Sequence, residues 1–344
     1  MRHSSTWESR FTRALNFIAP RSAAIVEADV PSPAEGEALV APRYIGLCGT
    51  DLELFTGSMP YFAQGNARYP LQPGHEVTGV VVTCPDDRFS PGTSVVIDPV
   101  VGCGICPACT SGLQTRCVER RELGVRRGMP GGAAEMITVP SSNLYAIPAG
   151  VSSRDAVLVE PGVTALHAVE WFGDVDDACA LVIGAGTVGL IGAQLLLRRR
   201  ARVDVLVVEP GRAALVDQIG AHPVTRVEAE VYTVVLEAAG ASEAVHSALA
   251  AVAPGGRVAI AGVQPGRVDS VDVNAIVLKD VTVRGVLNGP GLYGTMLDGL
   301  ASGAVDAAAL IDRDFELADA EAALDVMLTP DRRAPKVILH VGPD

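Results

Sequence analysis

The chain has 344 residues, so a single hydrophobic core, which stops growing at roughly 250–300 residues, does not suffice and two domains are expected. Hydrophobic residues make up 49% and charged residues 19%, a balance that excludes disorder. The formal net charge of -13 argues against a nucleic-acid partner, and the basic run Arg198–Arg200 reads as a solvated helix end.

In chain order, the polar start from Met1 to Arg13 has no apolar signal-peptide core, and a strand is expected over Ala14–Ile18. Short strands then follow, among them Ala23–Glu27, Glu37–Val40 and Gly79–Val82. They are broken by Pro31, Pro33, Gly36, Pro73-Gly74 and Pro91-Gly92, which reads as an all-β, barrel-like module up to about Ile147. After Pro161 the texture changes. Val163–Trp171 has helical spacing, and strands are expected at Ala180–Ile183, Val205–Val208, Val234–Leu236, Arg257–Ile260 and Val281–Val283, with helices between them such as Ser242–Val252. Alternating strands and helices mean a doubly wound parallel sheet, an α/β architecture. Helices at Leu292–Ala301 and Ala318–Met327 and a strand at Lys336–Leu339 complete the chain and are expected to return to the first domain. The domains are therefore set at 1–160, 161–290 and 291–344, and no window is apolar enough for a membrane span.

Three motifs carry chemistry. Gly184-Ala185-Gly186-Thr187-Val188-Gly189 lies between a strand and a helix, as a pyrophosphate-binding turn requires. Gly184 permits the turn, Gly186 lets the phosphates approach backbone N–H groups, and Gly189 allows close helix packing. Glu209 near the end of the next strand would bind a ribose diol and repel a 2′-phosphate, which favours NAD over NADP. Arg212 is the counterweight, either as a phosphate partner or as a solvated residue at a helix start. Cys103, Cys106, Cys109 and Cys117 lie in one short lobe, about 102–118. Four thiolates make a closed tetrahedral zinc site with no position for substrate, hence a structural one. Seven cysteines, four of them clustered, suit a reducing cytoplasm better than disulfides, and Cys84 and Cys179 read as plain hydrophobes.

The third motif is split: Gly46-Leu47-Cys48-Gly49-Thr50-Asp51, Gly74-His75-Glu76, and Glu160 in Val159-Glu160-Pro161. A catalytic zinc needs about three protein ligands and one open position.

Together these runs resemble the zinc-containing medium-chain dehydrogenases, nearest the polyol and sorbitol dehydrogenase branch, over most of the chain. The resemblance implies a GroES-like β-barrel catalytic domain beside a Rossmann domain. It also implies two zinc ions per chain, a small alcohol or ketone substrate, and a homodimer or homotetramer joined through the last Rossmann strand near Val281–Val286. It implies Cys48 and His75 as catalytic-zinc ligands, with Glu76 and Glu160 competing for the remaining role. Asp51 would orient the His75 ring or cap a turn. Thr50 would take the substrate proton, with Glu53 or water completing the relay where many relatives carry a histidine. His167 reads as helix packing near the cofactor, and His222 and His246 as surface or core residues. Tyr61, Phe62 and Asn66 would line the substrate mouth or belong to an ordinary loop. Two other readings compete: an NADPH-dependent double-bond reductase of the same superfamily, and a binding protein that kept the fold.

Overall fold

The computed structural model describes residues 10–263, 268–329 and 332–342. Most of the polar start of the chain lies outside these residues.

The catalytic half is organised by one long strand, Glu37–Leu47, whose alternating Ala38, Val40, Ile45 and Leu47 are fully buried. It pairs antiparallel with Glu76–Thr83 along its length. Its other edge is shared: the first half pairs with Ile137–Pro140 and the second with Lys336–His340. Ser94–Ile97 and Leu144–Ala146 extend the sheet on one side. Ile311–Glu316 extends it on the other, parallel to Lys336–His340. A separate hairpin, Phe11–Ala19 with Ser22–Asp29, packs Leu15 and Phe17 onto Ile45, Leu54 and Phe55.

The second half is a six-stranded, all-parallel sheet. Its spatial order is His222–Val224, Arg202–Leu206, Cys179–Ile183, Tyr232–Glu237, Val252–Ile260 and Thr282–Gly285. The first strand in sequence, Cys179–Ile183, lies at the centre, and the order reverses beside it, which opens the crevice where dinucleotides bind in such sheets. The near-continuous apolar runs in its central strands follow from burial on both faces.

The expected helix at Val163–Trp171 begins earlier, at Val159, so that Glu160 lies in its first turn. This helix packs against Thr187–Arg198 and Tyr293–Ala301 and ties the two halves into one core. In the tail, Ile311–Glu316 is the first strand to join the catalytic sheet. The second Rossmann strand ends at Leu206, and Val208 is exposed, so Glu209 is carried on a loop. Several elements escaped the sequence pattern, among them the helix Gly49–Thr56 inside the segment read as all-β. His222–Val224 is an edge strand of three residues with a central proline, Ile311–Glu316 is an edge strand rich in charge, and the helix Val273–Leu278 has no buried face. No helix among the described residues is long and apolar enough to cross a membrane.

Candidate active site

Cys48 terminates the long strand and caps the following helix, Gly49–Thr56. Its Sγ accepts from the Thr50 N–H at 3.3 Å, and Asp51 Oδ2 accepts from the Cys48 N–H at 3.0 Å. This reciprocal cap fixes the thiol at the head of the helix. His75 enters from the opposite side, placing Nε2 3.2 Å from Cys48 Sγ. The other ring nitrogen, Nδ1, faces Asp51 Oδ1 at 3.6 Å, beyond hydrogen-bond reach, and neither atom has another partner among the described residues. One Asp51 oxygen thus caps the turn, and the other faces the imidazole without bonding to it.

Donor atoms of His75, Glu76 and Glu160 also lie within 4.8 Å of one another. The two carboxylates are nevertheless in different circumstances. Lys336 Nζ donates to Glu76 Oε1 and Oε2 at 2.6 and 2.5 Å and to the Leu47 carbonyl at 3.1 Å, with both side chains 1% exposed. Gly46 makes room for this pair, since a Cβ there would sit 2.0 Å from Glu76 Oε2. Among the described residues Glu160 has no cation bonded to it, and only the Asn288 amide donates to its Oε1, at 3.3 Å. Burial raises the Glu160 carboxyl to about 7. Burial would also lower the His75 pKa, yet the facing Cys48 and Asp51 hold it well above the ordinary value. Sulfur, imidazole and carboxylate donors that converge and favour positive charge fit a zinc ion.

The second cysteine cluster fits zinc on a metric ground. A tetrahedron with ~2.3 Å Zn–S bonds has S···S edges of about 3.8 Å. Cys103 Sγ and Cys109 Sγ are 4.0 Å apart, and the four sulfurs of Cys103, Cys106, Cys109 and Cys117 lie within 4.8 Å of each other. Gly102 clears the space, since a Cβ there would stand 2.4 Å from Cys109 Sγ. Backbone N–H groups of Ile105 and Cys106 pull the Cys103 thiol down to about 6, while burial pushes Cys109 up to about 11.

One cleft of about 640 Å³ joins Cys48, Thr50, His75 and Glu160 to the glycine turn. Gly184, Gly186, Thr187, Val188, Glu209 and Arg212 line its nucleotide end. Gly189 lies behind the wall, where a Cβ would meet the Gly184 carbonyl oxygen at 2.0 Å. Arg212 departs from the reading of a solvated arginine. It is 2% exposed, because its Nε is drawn to Glu209 Oε2 at 3.2 Å and Arg332 and Met327 close the same region.

Of the other expectations, Tyr61 lines the cleft. Phe62 stacks on Tyr69, and the Asn66 side-chain amide donates to Gln64, so neither faces it. Glu53 is half-buried on the helix and does not line the cleft. His167 is structural: Nδ1 meets the Asn288 carbonyl at 2.7 Å and Arg284 donates to Nε2 at 2.9 Å. Sequence reasoning missed Lys336, Asn288, Glu122 and Arg332 as residues of the cleft. Lys336 alone left a signal, as one of two lysines in the chain.

Behind Glu160 runs a buried polar chain. Asn288 also donates to the Tyr293 hydroxyl at 3.3 Å, and Tyr293 stands against Asp98, whose Oδ1 accepts from the Val100 N–H at 2.9 Å. Burial raises the Asp98 carboxyl from 3.8 to about 6. The folded pKa lies above the unfolded one, so this carboxyl destabilises the fold as it ionises. Its contribution is most favourable below about pH 3.8 and is lost as pH rises through about 6, a change on the order of 3 kcal/mol. Asp98→Asn should flatten that segment of the stability profile in urea titrations between pH 4 and 7. A parallel profile for variant and parent would show that Asp98 does not carry it.

A dinucleotide crevice facing a Cys–His–Glu cluster across one cleft defines a metal-type dehydrogenase of two domains. Residues 34–149 match the alcohol dehydrogenase GroES-like domain and residues 187–302 the zinc-binding dehydrogenase domain. L-threonine 3-dehydrogenase of Coxiella burnetii is 31% identical over 91% of this chain and 94% of its own. The enzyme of that name from Pyrococcus horikoshii is 32% identical over 77% and 79%. Among solved structures, a chain from Sinorhizobium meliloti 1021 described as a zinc-binding dehydrogenase, bound to NADP, superposes with a TM-score of 0.88 at 25% identity, covering 96% of this chain and all of that one. Alcohol dehydrogenase TADH of Thermus sp. ATN1 gives 0.85 at 26% identity, covering 96% and 100%. The chain belongs to the zinc-type medium-chain alcohol dehydrogenase family, and its fold is the GroES-like and Rossmann pairing of that family.

Proposed function

We propose that this dehydrogenase transfers a hydride between NAD and a secondary alcohol, of the polyol, sugar or aminocyclitol kind, at a zinc site held by Cys48, His75 and Glu160. The observation that carries this reading is that Cys48, His75 and Glu160 line one cleft with the glycine turn, His75 standing beside Cys48 on one side and Glu160 on the other. Zinc would lower the pKa of the substrate hydroxyl, and the nicotinamide would accept the hydride. The rest falls to the protein. Glu160 is the oxygen ligand, because Lys336 already neutralises Glu76. Asp51 holds the imidazole so that Nε2 faces the metal position. Thr50 lines the cleft one helical step from Cys48, and its Oγ1 takes the hydroxyl proton and passes it to water. The four cysteines hold a second, structural zinc, giving two per chain.

Glu209, half exposed at the nucleotide end, supports a ribose diol and hence NAD. One observation favours NADP instead. Arg212 Nη1 is buried without a partner among the described residues, and Arg332 lines the same cleft. The NADP held by the Sinorhizobium relative points the same way.

The proposed division remains catalytic over 1–160 and nucleotide-binding over 161–290, with the remainder returning to the catalytic sheet. Thr282–Gly285 is the edge strand of the Rossmann sheet and is proposed to pair with a second copy. Seven free cysteines suit a reducing cytoplasm.

The test is elemental analysis of protein purified without chelator, followed by initial rates. Two zincs per chain are expected, with kcat/KM for NAD⁺ at least about tenfold above that for NADP⁺ on a panel of polyols, sugars, aminocyclitols and L-threonine. One zinc, with no rescue by added metal, would sink the catalytic assignment. A preference for NADP⁺ would move the arginine reading to the front.

A further inference from the structure

We infer that Glu122 and Tyr61 form a subsite for a second hydroxyl of a neutral, polyhydroxylated substrate, remote from the carbon that is oxidised. The inference rests on the dehydrogenase reading above and names the substrate class of the same cleft.

Glu122 reaches the cleft through local pairing. As the chain leaves the four-cysteine lobe, Arg121–Glu122 pairs antiparallel with Val100–Val101, setting Glu122 opposite Val100 on the cleft wall. The surrounding wall is apolar: Leu52, Met59, Val100 and Val125. A lone alcohol with a hydrocarbon tail would ask for nothing else. Yet two polar side chains stand in this wall, and both are held in place. Arg120 Nε donates to Glu122 Oε1 at 2.6 Å, with the two side chains only 18% and 14% exposed. Arg120 also stands against the Tyr61 hydroxyl, and the Arg126 guanidinium lies 5.6 Å from the centre of the Tyr61 ring. Arg126 Nη1 donates in turn to the Arg120 carbonyl at 2.8 Å.

The charge balance of this group decides what it reads. Arg120 compensates Glu122, so an ammonium group would meet little net field. Neither Arg120 nor Arg126 lines the cleft, so an anion would find no direct partner there. Glu122 and Tyr61 do line it: Glu122 Oε2 is an acceptor with no protein donor among the described residues, and the Tyr61 hydroxyl can both donate and accept. An acceptor beside a hydroxyl complements a substrate hydroxyl. A substrate without one would bury Oε2 unpaired, and sites built in this way reject analogues that lack the group.

The test compares kcat/KM for sorbitol and myo-inositol with that for 2-butanol and cyclohexanol in the zinc-loaded enzyme. The parent protein should prefer the polyols. Glu122→Ala should lower the polyol-to-monoalcohol ratio about thirtyfold, chiefly through KM, as expected for loss of a hydrogen bond to a charged group. Tyr61→Phe should lower it about tenfold. Glu122→Gln, which keeps an acceptor and a partner for Arg120, should fall between the parent and Glu122→Ala, and with Tyr61→Phe it decides the matter if Glu122→Ala fails to fold. Unchanged ratios overturn the inference and leave the dehydrogenase reading standing, as does a parent preference for a monoalcohol, a sugar phosphate or an amine. If no alcohol is turned over, the dehydrogenase reading fails, and saturation-transfer NMR with sorbitol decides the subsite: binding that Glu122→Ala removes supports it, and no binding overturns it.

Discussion

Replacement of Cys48 by Ser is expected to lower kcat by at least about a thousandfold while leaving the circular dichroism spectrum unchanged. Cys48 is the soft donor of the cluster, 3.2 Å from His75 Nε2, and a serine hydroxyl at that point cannot supply a thiolate to a borderline-soft ion. The loss should be specific to one metal. The four-cysteine lobe is built from its own short segment, so elemental analysis should fall from two zincs per chain to one. The helix that Cys48 caps should survive, because Asp51 Oδ2 still binds the backbone N–H of residue 48 and serine is itself a good capping residue. Turnover within tenfold of the parent would sink the assignment of Cys48, and retention of both metals would show that Cys48 is not needed to hold either ion.

Lys336→Met is expected to cost about 3–5 kcal/mol of stability, the penalty for leaving a buried carboxylate uncompensated, and to lower Tm by on the order of 10 °C. Glu76 and Lys336 are each 1% exposed, and both carboxylate oxygens bind the ammonium. A second variant, Lys336→Met with Glu76→Gln, removes the stranded charge and should recover most of the loss. That recovery separates electrostatics from packing. The single variant should also disturb metal binding, since the released carboxylate stands within 4.8 Å of the His75 and Glu160 donors. A loss under about 1 kcal/mol by urea titration would show that the pair is not the fixed element the geometry describes.

The parts of this molecule that were legible in its sequence are those whose chemistry is local. The glycine turn, the four-cysteine lobe and the Cys48–Asp51 cap each fit within about fifteen residues, so spacing alone exposes the geometry. The circumstances that distinguish Glu76 from Glu160 were not legible, because the lysine bonded to Glu76, Lys336, stands 260 residues away. Asn288 was invisible for a related reason. It turns its amide toward Glu160 from a loop where its backbone adopts a φ of 51°, and no periodic pattern announces such a position. For Arg212 the choice between a phosphate partner and a solvated residue stayed open in the sequence, because Met327 and Arg332, which line the same cleft, come from a segment far along the chain. The edge strand Ile311–Glu316 was hidden by its own charge, which protects an open edge but erases the alternation of a half-buried strand.

The pairing of Glu37–Leu47 with Lys336–His340 also sets a timetable. Lys336 meets the Leu47 carbonyl across 289 residues of chain. At ribosomal rates of 5–20 residues per second, roughly 15–60 s of synthesis separate the two partners. The parallel sheet, whose strands span 179–285, is made entirely within that interval and can fold as a unit before the catalytic sheet has its last strands. Until then Glu76 has no counter-ion, and the growing chain carries an unpaired strand edge beside an unfinished metal site. A nascent chain halted before residue 336 should therefore bind nucleotide while exposing the very edge that invites association with its neighbours on the same message.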